Sequence, residues 1–207
     1  MTYHSLILDA RERLFQAGQG EQAAQLLMVE LCRQRDKNLY ILMNEECDKE
    51  IEEIYKKAVI EMEQGKPLGY VLGYEWFFGY DFIVNEDVLI PRCETEELVE
   101  LVLQKFDEKF SNRDHVTVFD GSMLDPFIDR NLHCDILVCN PPYIPDEEEM
   151  EHSVVDYEPH VALFGGEDGL KFYRDVFEKA HLVCLEHAFM AFEMGYQQGK
   201  ALMELSR

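Results

Sequence analysis

Asn140, Pro141, Pro142 and Tyr143 follow directly on the apolar run Ile136-Leu-Val138. Proline fixes φ and has no N–H, so Pro141 and Pro142 hold a rigid, extended turn and remove two donors from it. The carbonyls of Asn140 and Pro141 are left to accept from a ligand. This arrangement suits alkylation of a planar NH2 group, whose delocalised lone pair is a poor nucleophile. The Asn140 side-chain oxygen and the Pro141 carbonyl take its two N–H bonds and leave the lone pair aimed at an electrophile, while Tyr143 stacks on the plane. Most of the rate then comes from positioning, with no strong base required. The plainer reading is a proline-rich turn in which Tyr143 is a lid on the core.

The element that must present this corner is the strand before it. Three consecutive apolar residues, Ile136 to Val138, suit a parallel strand buried on both faces. Ligands bind at the carboxyl end of such a strand in an open α/β sheet.

Asn140-Pro-Pro-Tyr143 resembles the signature of methyltransferases that modify amide or exocyclic amine nitrogens with S-adenosyl-L-methionine. Two flanking blocks narrow the likeness: Val88-Leu-Ile-Pro-Arg-Cys-Glu-Thr-Glu-Glu97 and Glu158-Pro-His-Val-Ala-Leu-Phe-Gly-Gly-Glu-Asp-Gly-Leu170. Together, and in this order, they are similar to the HemK (PrmC) family of peptide chain release factor N5-glutamine methyltransferases. The resemblance implies an α/β fold with a Rossmann-like methyltransferase sheet, preceded by a helical bundle over residues 1–65 that grips the release factor. A β-hairpin linker over 66–92 and a methyltransferase domain over 93–207 complete it. It also implies catalytic roles for Asn140, Pro141, Pro142 and Tyr143, and cofactor contacts from Asn140, Ser122, Met123, Arg92 and Glu94. Arg92 and Glu94 also read as a local ion pair. Cys93 stands where the family usually has proline, and Ser122 where an acidic residue is common.

One part of the family pattern is missing. A strand, a glycine-rich turn, a helix and a second strand ending in an acid should follow Phe106-Asp-Glu-Lys-Phe110; the glycines admit the cofactor and the acid takes the ribose hydroxyls. Instead Ser111-Asn-Arg-Asp114 passes straight to His115-Val-Thr-Val-Phe119, expected as a strand. The jump is roughly fifty residues, the size of one and a half βαβ units. An omitted segment, a deleted one and a shortened chain each account for it. Gly165-Gly166 does not substitute, because Glu167 and Asp168 follow at once. The chain also stops at Arg207 where the family continues to a closing hairpin.

Composition sets the partners. With 42 acidic and 19 basic side chains in 207 residues, the formal charge of −23 disfavours loose binding to nucleic acid, whose affinity comes from Lys and Arg neutralising phosphates. A protein substrate fits better. The acidic balance and the flanking blocks likewise count against the alternative enzyme, an N6-adenine-type nucleic-acid methyltransferase, which needs basic grooves and a flipped base. A third reading is an inactive remnant that binds a protein partner. Six cysteines without a Cys-x-x-Cys pair read as reduced thiols of a cytoplasmic protein, and no metal site is expected. No apolar run is long enough to span a membrane.

Elsewhere the spacing predicts helices carrying Leu6, Ala10, Leu14 and Ala17, then Ala24, Leu27, Met28 and Leu31. A third has Asp48 as N-cap and Ile51, Ile54, Tyr55, Ala58 and Met62 as its apolar face. Trp76 to Val84 predicts a hairpin turning at Gly79-Tyr80. Glu94 opens a helix with Leu98, Val99, Val102 and Phe106 inward. Later come a helix through Leu170, Tyr173, Phe177 and Ala180, a strand over 188–194, and a last helix starting at Gln197.

Overall fold

Helices at the N-terminus begin and end where local chemistry dictates. α1 (Tyr3–Gln16) starts at Thr2, whose side chain accepts the Ser5 N–H at 3.1 Å, and it stops before Gly18, where φ is +81°. The structure, a computed structural model, describes residues 1–106 and 116–207. Contacts divide these into two compact units: Met1–Ile90 with Met150–Pro159, and Pro91–Glu149 with His160–Arg207.

In the first unit, α1 packs on α2 (Ala23–Arg33) and on α4 (Lys49–Glu63), with the short α3 (Leu39–Leu42) between them in sequence. Their apolar residues recur every three or four positions, so each helix turns one stripe inward. Leu6, Ala10 and Leu14, then Ala24, Leu27, Met28 and Leu31, then Ile51, Tyr55, Ala58, Val59 and Met62 are all buried in one core. Each large apolar side chain buried there contributes about 1.5–3 kcal/mol. The Tyr55 hydroxyl, deep in that core, donates to the Ala24 carbonyl at 3.0 Å, which removes the penalty of a buried unpaired O–H. Asp48 occupies the N-cap position of α4 but makes no capping hydrogen bond; its carboxylate goes to Lys37 at 2.8 Å instead.

After α5 (Leu68–Leu72) come the antiparallel strands β1 (Tyr74–Phe77) and β2 (Tyr80–Ile83). Phe77 pairs with Tyr80, so the turn is Phe78-Gly79, one residue earlier than the sequence suggested. Both turn residues have positive φ, +48° and +88°, as a two-residue turn that matches strand twist requires. The hairpin is tied to α2 by Arg33, which donates to both carboxylate oxygens of Asp81 at 3.3 Å and lies over the Tyr74 ring. Residues 150–159 return to this unit through α8 (His152–Val155). There the buried Glu158 accepts the Ile90 N–H at 3.2 Å.

The second unit is mixed helix and strand. It contains α6 (Cys93–Phe106), α7 (Asp125–Ile128), β3 (Cys134–Cys139), α9 (Lys171–Lys179), β4 (Cys184–Phe192) and α10 (Gly199–Leu205). β3 and β4 pair in parallel, as the apolar run of β3 suggested, with Cys139 opposite Phe192. Burial on both faces does not follow. β4 is the only ladder neighbour of β3 among the described residues, and Val138 keeps 43% of its surface exposed. Of the expected inward residues of α6, only Val102 is fully buried; Leu98, Val99 and Phe106 are half-buried. The strand expected over 115–119 also fails where it can be seen. His115 lies outside the described residues, and Val116 to Phe119 form no ladder, leaving Val116 and Val118 each 88% exposed. A strand has no stability without a neighbour to take its N–H and C=O groups.

Candidate active site

The corner at the end of β3 is built by hydrogen bonds from two sides. Ile144 N–H donates to Leu163 carbonyl, Gly165 N–H returns to Ile144 carbonyl at 2.8 Å, and Asp146 N–H donates to Gly166 carbonyl. Residues 163–166 thus run beside the residues that follow Tyr143. From the other side, Gln198 bridges the turn before α10: its amide donates to Tyr143 carbonyl at 2.9 Å, and its oxygen accepts Gly195 N–H at 3.0 Å.

Within this frame Pro141 is buried, and among the described residues no donor reaches its carbonyl. The Asn140 side chain is exposed and donates through Nδ2 to Thr95 Oγ1 at 3.0 Å, which leaves Oδ1 as its accepting end. Thr95 sits in the first turn of α6 and donates in turn to Glu193 Oε2 at 2.6 Å. The other oxygen of that carboxylate accepts the Tyr143 hydroxyl at 3.1 Å. Burial, followed by the negative charge of Glu193, pushes the Tyr143 hydroxyl up to about 12. The Tyr143 ring packs on the cluster of Leu170, Tyr173 and Leu202, so it is anchored at both ends. Beside it opens a cleft of about 580 Å³ bordered by Pro145, Glu148, Leu170, Tyr196 and Ala201.

The residues proposed for cofactor contact are placed unevenly. Arg92 and Glu94 lie close enough to the Tyr143 hydroxyl for both charges to act on it. The Glu94 carboxyl is held below its ordinary range, first by its own backbone N–H, then by the Cys93 thiol, with a smaller contribution from Arg92. Ser122 is exposed, and Met123, with φ at +45°, packs on the cluster of Leu124, Val176 and Val183. Sequence reasoning missed Thr95, Glu193 and Gln198. Thr95 lies within the block 88–97, but its bond to Glu193 joins segments 98 residues apart.

A nucleoside cofactor needs backbone that it can approach closely and acceptors for its ribose hydroxyls. The glycines nearest the corner do not offer this, because the chain itself fills the space a side chain would take. A Cβ at Gly165 would lie 2.6 Å from Pro142 carbonyl oxygen, and one at Gly169 would run into Tyr143 carbonyl. The cleft of about 390 Å³ along β3 is lined by Leu124, Phe127, Ile136, Val138 and Val183 and no carboxylate. Among the described residues, neither the glycines beside the corner nor the cleft along β3 offers a nucleoside what it needs. Among the same residues no group of His, Cys, Asp or Glu is arranged to hold a metal ion, and no helix is long and apolar enough to cross a membrane.

Fold and site together define a helical N-terminal unit joined to an α/β unit that ends a parallel strand in Asn-Pro-Pro-Tyr. Residues 5–73 match the family model of the PrmC N-terminal domain. The chain is 31% identical to the release factor glutamine methyltransferase of Bacillus cereus, with 99% of this chain and 90% of the relative covered. It is 33% identical to that of Bacillus subtilis strain 168, with 95% and 86% covered. The Staphylococcus aureus protein of the same name is 25% identical over 99% and 90%. The chain belongs to the release factor glutamine methyltransferase family. The alignment with the Bacillus cereus relative runs over 255 positions against 207 residues here, so at least 48 of them have no counterpart in this chain.

Proposed function

We propose that this chain transfers a methyl group to the side-chain amide nitrogen of the glutamine in the Gly-Gly-Gln loop of a peptide chain release factor. S-adenosyl-L-methionine is the donor that the family implies. In this reading residues 1–65 grip the factor, 66–92 link, and 93–207 carry the reaction, with β3 and β4 as neighbouring strands of a Rossmann-like sheet. Asn140 Oδ1 and the Pro141 carbonyl accept the two amide N–H bonds, Pro142 stiffens the turn, and Tyr143 flanks the bound amide. Holding both N–H groups away from the amide plane of the substrate leaves the nitrogen lone pair presented, so the contribution of these residues is orientation. Arg92, Glu94, Ser122 and Met123 are the proposed contacts on the donor side. A cytoplasmic location suits a substrate of the translation machinery.

The observation that carries this reading is that Asn140 has its donor end occupied by Thr95 while its acceptor end is left over. Mass spectrometry of a release factor incubated with the chain and S-adenosyl-L-methionine tests it, with a DNA duplex in a parallel reaction. One added methyl group on the loop glutamine is expected. No methylation of the factor, or methylation of the DNA alone, overturns it. Calorimetric titration with S-adenosyl-L-methionine should give measurable heat; binding of the release factor without any such heat reduces the chain to a binding protein.

A further inference from the structure

We propose that Glu193 and Thr95 are positioning residues that decide which end of the Asn140 amide faces the substrate. The inference rests on the reading of Asn140 as the residue that holds the substrate NH2. The two ends of an asparagine amide are nearly identical in shape and opposite in function. Only the oxygen can hold a substrate N–H; the NH2 end would repel it. An exposed asparagine with no fixed partner samples both orientations and holds neither rigidly.

Here the orientation follows from proton counting. Thr95 has one hydroxyl proton, and its oxygen lies 2.6 Å from Glu193 Oε2. A carboxylate only accepts, so that proton belongs to the Thr95–Glu193 bond. The Thr95 oxygen is then an acceptor toward Asn140, 3.0 Å away, and only Nδ2 can face it. Oδ1 is thereby turned away from Thr95. If Thr95 lost its carboxylate partner, its proton would be free to point at Asn140 and favour the opposite orientation.

Glu193 is suited to this because it is itself immobilised. Its main-chain N–H donates to Cys139 carbonyl at 3.0 Å, and its carbonyl accepts the Tyr173 hydroxyl at 2.7 Å. The register places Cys139 opposite Phe192, so Asn140 and Glu193 emerge side by side from the ends of paired strands. The second carboxylate oxygen accepts from Tyr143, so one side chain aligns both the acceptor and the flanking ring.

Two variants at one position test the relay. Thr95→Val removes the hydroxyl at similar volume, and Thr95→Ser retains it. In 15N-labelled protein the Asn140 side-chain amide protons report directly: one slowly exchanging, hydrogen-bonded proton is expected in the parent and in Thr95→Ser, and its loss in Thr95→Val. In methyl transfer to a release factor, Thr95→Val should lower kcat at least about tenfold with KM within about twofold, because orientation and not encounter is lost. Thr95→Ser should stay within about threefold of the parent. Unchanged Asn140 amide protons in Thr95→Val, or equal impairment of both variants, overturns the proposal. If the parent itself transfers no methyl group, the functional reading fails, and the amide spectra alone decide the relay.

Discussion

Gly169 is packed so tightly against Tyr143 that a Cβ at position 169 would occupy the space of the Tyr143 carbonyl. The obstacle is backbone, which cannot swing aside as a flexible side chain does. Its φ of +71° adds a second barrier to any other residue. Gly169→Ala should therefore cost about 2–4 kcal/mol, combining overpacking with left-handed strain. Urea denaturation measures it; a loss below about 1 kcal/mol would mean that the loop yields and does not brace the corner.

Asn140→Ala removes the accepting oxygen and leaves the turn, since Pro141 and Pro142 fix its backbone. Methyl transfer to a release factor should fall by about 10²-fold or more, the scale seen when one preorganised hydrogen-bonding group is deleted from a reacting site. Stability should move by less than about 0.5 kcal/mol, because the side chain is exposed. Parallel rate and melting measurements decide; an undiminished rate would remove Asn140 from the site.

Tyr143→Phe keeps the ring and deletes the hydroxyl that Glu193 accepts. The expected cost is about 1.5–3 kcal/mol, the range for a hydrogen bond to a charged acceptor. The same tyrosine gives a pH signature. Its hydroxyl titrates near 12 in the fold, above the ordinary tyrosine value of about 10, so the folded state holds the proton more tightly. That stabilisation is fully present below about pH 10 and is lost as pH rises through 12. Stability curves of parent and Tyr143→Phe should converge over that alkaline window; parallel curves would refute the shift.

In the helical unit, Ile51→Ala leaves a cavity at a residue with 0% exposure. A loss of about 2–5 kcal/mol is expected by chemical denaturation. A smaller loss would indicate that α1 and α2 collapse onto the gap.

The helical unit was legible because its three stripes obey one period. Ala10, Leu27, Met28, Ile51 and Tyr55 all lie where the spacing put them. The corner at Asn140 was legible because proline writes its constraint into the sequence. What escaped depended on pairing between distant segments. Asn140 and Glu193 meet because β3 and β4 align Cys139 with Phe192, and Thr95 reaches them from α6; no local pattern encodes either pairing. Asp48 shows the opposite failure: its position at the head of α4 was readable, but Lys37, distant in sequence, took its carboxylate. Val116 to Phe119 alternate as a strand should, yet alternation describes a side-chain pattern and cannot supply the neighbour that a ladder requires.

The clamp at Arg33 gives the β1–β2 hairpin a stability that should depend on ionic strength. A two-stranded ribbon is marginal in water by itself, and this one carries a phenylalanine in the left-handed region at its tip. Every residue of β2 is exposed, so little apolar burial backs up the charged tether to Asp81. Mobile ions weaken such surface pairs, with a screening length of about 10 Å at 0.1 M and about 3 Å at 1 M. Amide exchange at Glu75 and Phe82, a hydrogen-bonded pair of the ladder, should accelerate between those salt concentrations while α1, α2 and α4 hold their protection; equal protection throughout would show that the ribbon has some firmer anchor.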